Sequence, residues 1–543
     1  MDIPLGHRAR WTDSPWAGGA AAALAGALPA LAFPAPSWWW LAYAALVPWL
    51  LLVRSAATAR RAALYGWLGG AGFMLAVHHW LLPSLHVFIL VLALLLGALW
   101  APWGMLVRAL LGGRPGPGRA AAALVLVPSG WLMVELVRSW EYLGGPWGLL
   151  GASQWPVPPA LRLASLGGVW LVSLLIVAVN TALAALLAVR TARRPAVAGL
   201  LVCALAATAA WLWAPLPRPA GTVRLAVVQP GPGGTPSARL ARAEELTGAL
   251  AGRGVHLVVW GESSLTQDPA DHPALAARLA ALSRRTGADL LVNADAPRSD
   301  GSGISKSAVL IGPRGPTGDR YAKMRLVPFG EYIPARSVLG WATRVGKAAA
   351  SDRRRGTHQV VLPVPAAGGL RIGPLVCFET AFPDMSRHLA GDGARLLVAQ
   401  SSTATFQDSW APAQHASLGA LRAAETWRPM VHATLTGISA VYGPRGEGVG
   451  PRLGTDRTAA AVYDVPLAHG TSPYTRWGDW AVYGAVAALL AYGLVAAGRG
   501  IRTRRAVSTG QRLRPRQRAG TGPRLRARQR VRAGRRVRAR RGL

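Results

Sequence analysis

Of the 60 basic residues in this 543-residue chain, only Lys306, Lys323 and Lys347 are lysine, and the only cysteines are Cys203 and Cys377. A composition this rich in alanine, glycine and arginine places arginine wherever a bare positive charge suffices, so a surviving lysine is a candidate for chemistry. Lys323 stands in "YAKMRLVPFGEYIP" (321–334), eight residues before Glu331. Lys306 and Lys347 have no role that spacing assigns. Cys203 lies within an apolar run and reads as a small hydrophobe. Cys377 closes "LRIGPLVC" and precedes Phe378 and Glu379, while Glu262 sits in "VVWGESS". A thiol, a carboxylate and an ammonium make a nucleophile set. Cys377 supplies the sulfur, Glu262 takes its proton as general base, and Lys323 meets the negative charge of a tetrahedral intermediate. The broad planar guanidinium does not replace a compact ammonium in that task. The plainer alternatives are a buried cysteine that fills space, and Glu262 and Glu331 as helix-cap or salt-bridge carboxylates. Two cysteines form no disulfide framework and no metal cluster, so no metal or cofactor is expected.

The elements that must position these residues follow from the pattern between 215 and 477. "VRLAVVQ" (223–229), "HLVVW" (256–260), "DLLVNAD" (289–295), "SAVLIG" (307–312), "LRIGPLVC" (370–377), "ARLLVAQ" (394–400) and "MVHATL" (430–435) read as strands. "SARLARAEELTGALA" and "HPALAARLAALSRRTG" read as amphipathic helices. The alternation predicts an α/β domain with a largely buried sheet. Glu262 then follows the second strand, Lys323 comes after the fourth, and Cys377 ends the fifth. Strand ends are where an α/β sheet brings reactive groups within reach of one another.

The rest of the chain is apolar: hydrophobic residues make up 51% of the whole. Seven long runs fill residues 1–214, at 17–33, 38–53, 64–82, 87–107, 120–137, 163–189 and 196–214, and an eighth spans 478–498. Most approach the ~20 residues that cross a bilayer core. Arg54, Arg60 and Arg61 lie in the second loop, Arg108, Arg114 and Arg119 in the fourth, and Arg190, Arg193 and Arg194 in the sixth; "PAPS" and "PSLH", the first and third loops, have no arginine, and the longer fifth, with Arg138 and Arg162, is the weaker evidence. With Arg8 and Arg10 at the start, this asymmetry makes both termini cytoplasmic and residues 215–477 extracytoplasmic. Residues 1–32 also resemble a cleavable signal peptide, whose loss would leave seven spans and the same sidedness. From Arg499 onward, 18 arginines and no acid form a tail that reads as a disordered anchor. It lacks the aromatics for base stacking, so nucleic acid is not an expected partner. His78-His79 read as interfacial, Glu135 and Arg138 as a local ion pair, and Arg422 and Glu425 stand at a helical spacing of three. Trp341 and Trp410 are lid candidates, with core packing as the alternative.

The segments "VVWGESS", "YAKMRLVPFGEYIP", "GPLVCFETAFPD" and "LTGISAVYGPRG" resemble the apolipoprotein N-acyltransferase family and its nitrilase-type domain. "GGPWGLLGASQ" (144–154) and the stretch ending at Asn180 extend the resemblance over nearly the whole chain. It implies a multi-pass helical membrane bundle of about eight spans carrying an extracytoplasmic nitrilase-like αββα sandwich. It implies a Glu262-Lys323-Cys377 triad, with Glu331 near the base and lysine and with Phe378 and Glu379 beside the nucleophile. The implied reaction is acyl transfer in two steps. Cys377 attacks a phospholipid ester and becomes a thioester; the α-amine of a diacylglyceryl-cysteine on a lipoprotein then takes the acyl chain. The chain is expected to act as a monomer in the cell membrane. It departs from the family in having Trp260-Gly261-Glu262 for Trp-Pro-Glu and Phe378 for tyrosine. Ser401-Ser402-Thr403-Ala404-Thr405-Phe406-Gln407 replaces Ser-Asn-Asp-Ala-Trp-Phe-Gly. A membrane-tethered amidase, with water as acceptor, and a non-catalytic lipoprotein-binding relative are the competing readings.

Overall fold

The computed structural model describes residues 15–297, 303–340 and 352–512. The expectations for Arg8, Arg10, Trp341, Lys347 and the arginine tail beyond 512 lie outside these residues. The chain divides after Leu489 into two units, the second helical over 490–512.

The α/β part runs through β1 (Arg218–Gln229), β2 (Leu257–Trp260), β3 (Asp289–Pro297), β4 (Ile304–Gly312), β5 (Gly315–Ala322) and β6 (Arg353–Arg354). It continues through β7 (Leu362–Val364), β8 (Leu370–Val376), β9 (Leu396–Ser401), β10 (Met430–Thr434), β11 (Ser439–Tyr442), β12 (Gly448–Leu453) and β13 (Ala459–His469). One sheet is ordered β13-β1-β2-β3-β4-β5, with β6 added beside β4; the other is ordered β12-β11-β10-β9-β8-β7. Successive side chains of a strand face opposite ways. Leu225, Val227, Leu257, Val259, Leu291 and Leu310 therefore pack on Ile372, Val376, Leu396, Val398 and Val431 of the other sheet. Their neighbours Ala226, Val228, Val258, Leu290 and Val292 pack on the helices Pro236–Gly248 and Pro273–Thr286. Leu375, Leu397, Ala399 and Met430 face Pro383–Gly391 and Ala411–Thr426. The result is an αββα sandwich, and burial on both faces explains why its strands read as continuous apolar runs.

All seven strands read from the sequence are present. β5, β6, β7, β11, β12 and β13 are additional. β5, "GPTGDRYA", and β12, "GVGPRL", are edge strands with exposed polar residues, and so lack the apolar run that marks the inner strands.

In the membrane half the sequence predicts eight spans. Among the described residues, four helices are long and apolar enough to cross a bilayer: Pro117–Arg138, Pro158–Ala188, Arg190–Trp213 and Trp480–Arg499. The bent pair Phe88–Gly97 and Trp100–Leu111 makes a fifth if counted as one span. Trp16–Ala32 and Trp39–Ser55 are apolar but shorter. Ala59–His78 is the hub of this half. A Cβ on Gly26 would lie 1.9 Å from Gly69 O, and one on Gly66 would lie 2.4 Å from Trp100 O, so small residues bring backbones into contact there. A cluster of Trp49, Trp100, Trp103 and Trp131 fills the centre, with Trp49 and Trp103 ring centroids 5.0 Å apart.

Loops of like parity meet. In the even set, Arg54 Nε donates to Leu111 O, Arg108 Nε donates to Ala56 O, and Thr191 Oγ1 donates to Pro115 O. In the odd set, Gln154 Nε2 donates to Trp39 O and Trp155 Nε1 donates to Ser37 Oγ. Trp80 and Trp147 both donate to Gln414 Oε1 of the α/β part.

Candidate catalytic site

Glu262, Lys323 and Cys377 each stand just beyond the end of a strand, after β2, β5 and β8. The first two strands belong to one sheet and β8 to the other, so the site lies where the ends of the facing sheets converge. Lys323 Nζ is 3.3 Å from Glu262 Oε1 and 2.9 Å from Glu331 Oε1, and the Cys377 thiol and the Glu262 carboxylate are close enough to shift each other's protonation. Lys323 is 1% exposed. Glu331 Oε2 also accepts from Val327 N at 2.9 Å, which closes the "LVPFGE" turn that carries it. The sequence expectations for the triad and for Glu331 are thus brought together in one cluster.

Two backbone features hold the reactive groups. Cys377 has φ +52° and Ser263, next to Glu262, has φ +55°. Such a conformation costs a non-glycine residue of order 1–3 kcal/mol and persists where surrounding contacts enforce it. At Cys377 the enforcement comes from Glu379. Its Oε2 accepts from Val376 N at 2.8 Å, and its Oε1 accepts from Tyr321 Oη at 2.7 Å, Met324 N at 2.8 Å and Arg325 N at 3.0 Å. Glu379 therefore ties the nucleophile's turn to the segment carrying Lys323. At Glu262, the backbone N–H donates to Ser401 O at 3.1 Å and Ser263 N donates to Asn293 Oδ1 at 2.9 Å.

Sequence reasoning missed Lys306. Its Nζ lies 2.9 Å from Glu262 Oε1, 3.1 Å from Glu331 Oε1 and 3.6 Å from Asp295 Oδ2. Antiparallel pairing of β4 with β5 sets Ser307 opposite Ala322, and Lys323 N donates to Lys306 O at 2.8 Å, so the two lysines are cross-strand neighbours. Lysine rarity was a signal for both. The partner strand β5 was not legible, so the pairing was not.

The charges in this cluster decide its protonation. Burial pushes Glu262 up, but the ammonium groups of Lys306 and Lys323 outweigh it and hold the carboxylate down at about 2. Glu331 is lowered in the same way, against burial, by Lys323 and Lys306. Both lysines are raised: burial opposes their charge, but the surrounding carboxylates exceed it. Desolvation of the sulfur, and then the Glu262 carboxylate, push the Cys377 thiol up to about 12. At rest the thiol is neutral and Glu262 is ionised. His415 Nε2 lies 3.0 Å from Cys377 O, and burial lowers His415 to about 4, so it is a neutral ring touching the nucleophile's backbone.

The departures from the expected motifs have local explanations. A Cβ on Gly261 would lie 1.9 Å from Leu435 N, so the backbone of 434–435 occupies the space of any side chain there. Phe378 stacks edge-on against Phe382 at 4.9 Å, and both rings press on Gly145 from the membrane half. In the 401–407 segment, Gln407 Nε2 donates to Thr455 O at 2.6 Å, and Phe406 meets Trp80 edge-on at 4.8 Å. Trp410 packs on His79 at 4.5 Å, while His78 is buried with its Nδ1 3.0 Å from Met74 O. Glu135 and Arg138 do not form the expected local pair. Glu135 Oε1 accepts from Leu150 N and Arg138 Nη1 donates to Trp147 O, so each grips the 147–150 loop. Arg422 and Glu425 do pair, at 3.1 Å. Among the described residues no cluster of histidine, cysteine and acidic side chains has the makings of a metal site.

Residues 25–182 match the family model described as the apolipoprotein N-acyltransferase N-terminal domain, and residues 224–471 match that described as carbon-nitrogen hydrolase. An apolipoprotein N-acyltransferase of Geobacter metallireducens is 32% identical over 504 residues, covering 87% of this chain and 94% of its own. One from Azotobacter vinelandii is 32% identical, covering 90% and 96%. Among solved structures, an amidase from Nesterenkonia sp. covers 48% of this chain and 95% of its own, at 21% identity and a TM-score of 0.33.

Proposed function

This chain belongs to the apolipoprotein N-acyltransferase family, and from that premise we propose the route by which it, as an N-acyltransferase of lipoproteins, moves the acyl chain. The observation that carries the proposal is the meeting of three strand ends: the Cys377 thiol in electrostatic contact with the Glu262 carboxylate, and the Lys323 ammonium 3.3 Å from that same carboxylate.

Cys377 Sγ attacks the ester carbonyl carbon of a phospholipid as Glu262 takes the thiol proton. The thiol is neutral at rest, so deprotonation and attack proceed together. Charge on the tetrahedral oxygen is met by Lys323. Collapse breaks the ester C–O bond, Glu262 returns the proton to the departing lysophospholipid oxygen, and a thioester remains on Cys377. The neutral α-amine of a diacylglyceryl-cysteine then attacks the thioester carbonyl. Glu262 takes the amine proton, the C–S bond breaks, the proton returns to sulfur, and the product is an amide. No metal or cofactor enters either step.

The membrane arrangement in this reading has eight spans, both termini cytoplasmic and the αββα domain outside. Arginine in every even loop supports it. So does the grouping of Arg54, Arg108, Arg114 and Arg119, all from even loops, around one cleft, while Trp80 and Trp147 of odd loops bind Gln414 of the α/β part. Both substrates are lipid-anchored, which accounts for a catalytic domain seated on a helical platform.

The test is a mass spectrum of the full chain after incubation with a defined phospholipid. An acyl mass on the peptide carrying Cys377, removable by neutral hydroxylamine, is expected. It should disappear as an added diacylglyceryl-cysteine peptide gains an amide-linked chain. Loss of the adduct to water at an equal rate without the peptide identifies an amidase-type hydrolase instead. No adduct on a folded protein with a free thiol overturns the thioester.

A further inference from the structure

The mechanism above uses one lysine, but the site holds two. Lys306 and Lys323 contact the same two oxygen atoms, Glu262 Oε1 and Glu331 Oε1. Without Lys306, two buried carboxylates would share a single ammonium. One of them would then tend to take up a proton, because like charges at close range in a desolvated site cannot both stay ionised. The ammonium that remained would also be held between them, when the reaction needs it at the carbonyl oxygen. With Lys306 the four groups balance, two positive and two negative. Asp295, across from Lys306 on β3 and 3.6 Å from its Nζ, has a second and closer cation in Arg353 at 3.1 Å.

We infer that Lys306 is a positioning residue for the acyl transfer: by sharing the Glu262 and Glu331 oxygens with Lys323, it keeps Glu262 ionised and leaves Lys323 available to the developing oxyanion. This rests on Glu262 acting as the base for Cys377. The low position of Glu262, about 2, agrees with the geometry. The groups facing Lys306 from the packed elements are Glu262 after β2, Asp295 on β3, Lys323 after β5, Glu331 in the turn beyond it and Cys377 after β8, with Arg353 of β6 paired to Asp295.

The experiment follows alkylation of Cys377 by iodoacetamide in the full chain in detergent, from about pH 4 to about pH 9, reading the Cys377 peptide by mass spectrometry. In the native protein the acid limb should lie below this range. In Lys306→Met it should rise by roughly two pH units or more and so enter the range, with alkylation slower at the acid end than near neutral pH. With phospholipid as donor, the loss should fall on kcat, with KM moving less than about twofold. Lys306→Gln, whose amide still donates to a carboxylate, gives the same reading if Lys306→Met lacks a cooperative melting transition. A variant that is slower at every pH with the limb unmoved makes Lys306 a structural spacer and overturns the inference. Glu262→Gln separates the two readings. If it alkylates with the native profile, Glu262 is not the base and the mechanism falls together with this inference. If it slows while both Lys306 variants keep the native limb, only the role of Lys306 falls.

Discussion

Glu425 Oε1 accepts a 2.7 Å hydrogen bond from Val169 N, although the two residues are 256 apart in the chain. Val169 is where the helix Pro158–Ala188 restarts after its break at Gly167 and Gly168. A helix restart leaves unpaired N–H groups, and here a carboxylate from the catalytic domain caps one of them. The domain and the membrane half are thus joined by a cap as well as by apolar packing.

That cap carries a pH prediction. Burial, against the pull of Arg422 and Val169 N, raises Glu425 from 4.5 to about 7. A folded-state value above the unfolded one means the fold holds the proton more tightly, so this contribution is complete below about 4.5 and is lost as pH rises through about 7. The full effect is roughly 3 kcal/mol. Thermal unfolding of the native protein should therefore weaken across that window by more than it does in Glu425→Gln, which mimics the protonated form. Parallel Tm-against-pH curves for the two would remove Glu425 as the titrating group.

A second prediction concerns Glu379. All four of its hydrogen bonds are accepted, from Tyr321, Met324, Arg325 and Val376. A carboxylate can accept all four, whereas an amide must present N–H to at least one donor. Glu379→Gln should cost about 1–3 kcal/mol and lower acyl-enzyme formation, because the turn holding Cys377 loosens from the segment holding Lys323. Unchanged melting and unchanged thioester yield would show that the four bonds do not set the geometry.

These two carboxylates mark how far the sequence could be read. The inner strands, whose residues are apolar on both faces, were plain, and so were Glu262 and Cys377 just beyond two of them, whereas Lys323 stood out by the rarity of lysine. Glu379 was legible as a neighbour of the nucleophile but not as a staple, since three of its four donors, Tyr321 Oη and the N–H groups of Met324 and Arg325, lie 54 or more residues away. Lys306 was hidden because edge strand β5 is polar and half exposed, so the register that sets it beside Lys323 left no periodic trace. The Glu425–Val169 cap depends on a break in a predominantly apolar helix; only the Gly167-Gly168 pair betrays it.

The contact between Gly145 and the nucleophile's turn gives a third prediction. Gly145 has φ +68°, and a Cβ there would lie 2.6 Å from Phe378 Cζ and 2.7 Å from Phe382 Cζ. Gly145→Ala must shift the ring next to Cys377 or the loop above it, and it adds the strain of a left-handed alanine. Acyl transfer should fall at least about tenfold, with detergent-stable protein still recovered. If Phe382→Leu in the same chain restores activity, the overlap is the cause; if it does not, loop strain is.

Lys323→Arg separates two jobs that a single loss of activity would confound. Alkylation of Cys377 by iodoacetamide needs the thiol deprotonated but forms no oxyanion, whereas acylation by an ester needs both. Arginine keeps a positive charge beside Glu262 and Glu331, so the base stays ionised. Its longer side chain and planar fork cannot bring one compact donor to the carbonyl oxygen from a position that is 1% exposed. Acyl-enzyme formation should therefore drop by about 10²-fold or more, while alkylation of Cys377 falls by less than about tenfold. Equal losses in both reactions would mean that Lys323 serves the thiol and its base only, and that the tetrahedral oxygen is stabilised by some other group.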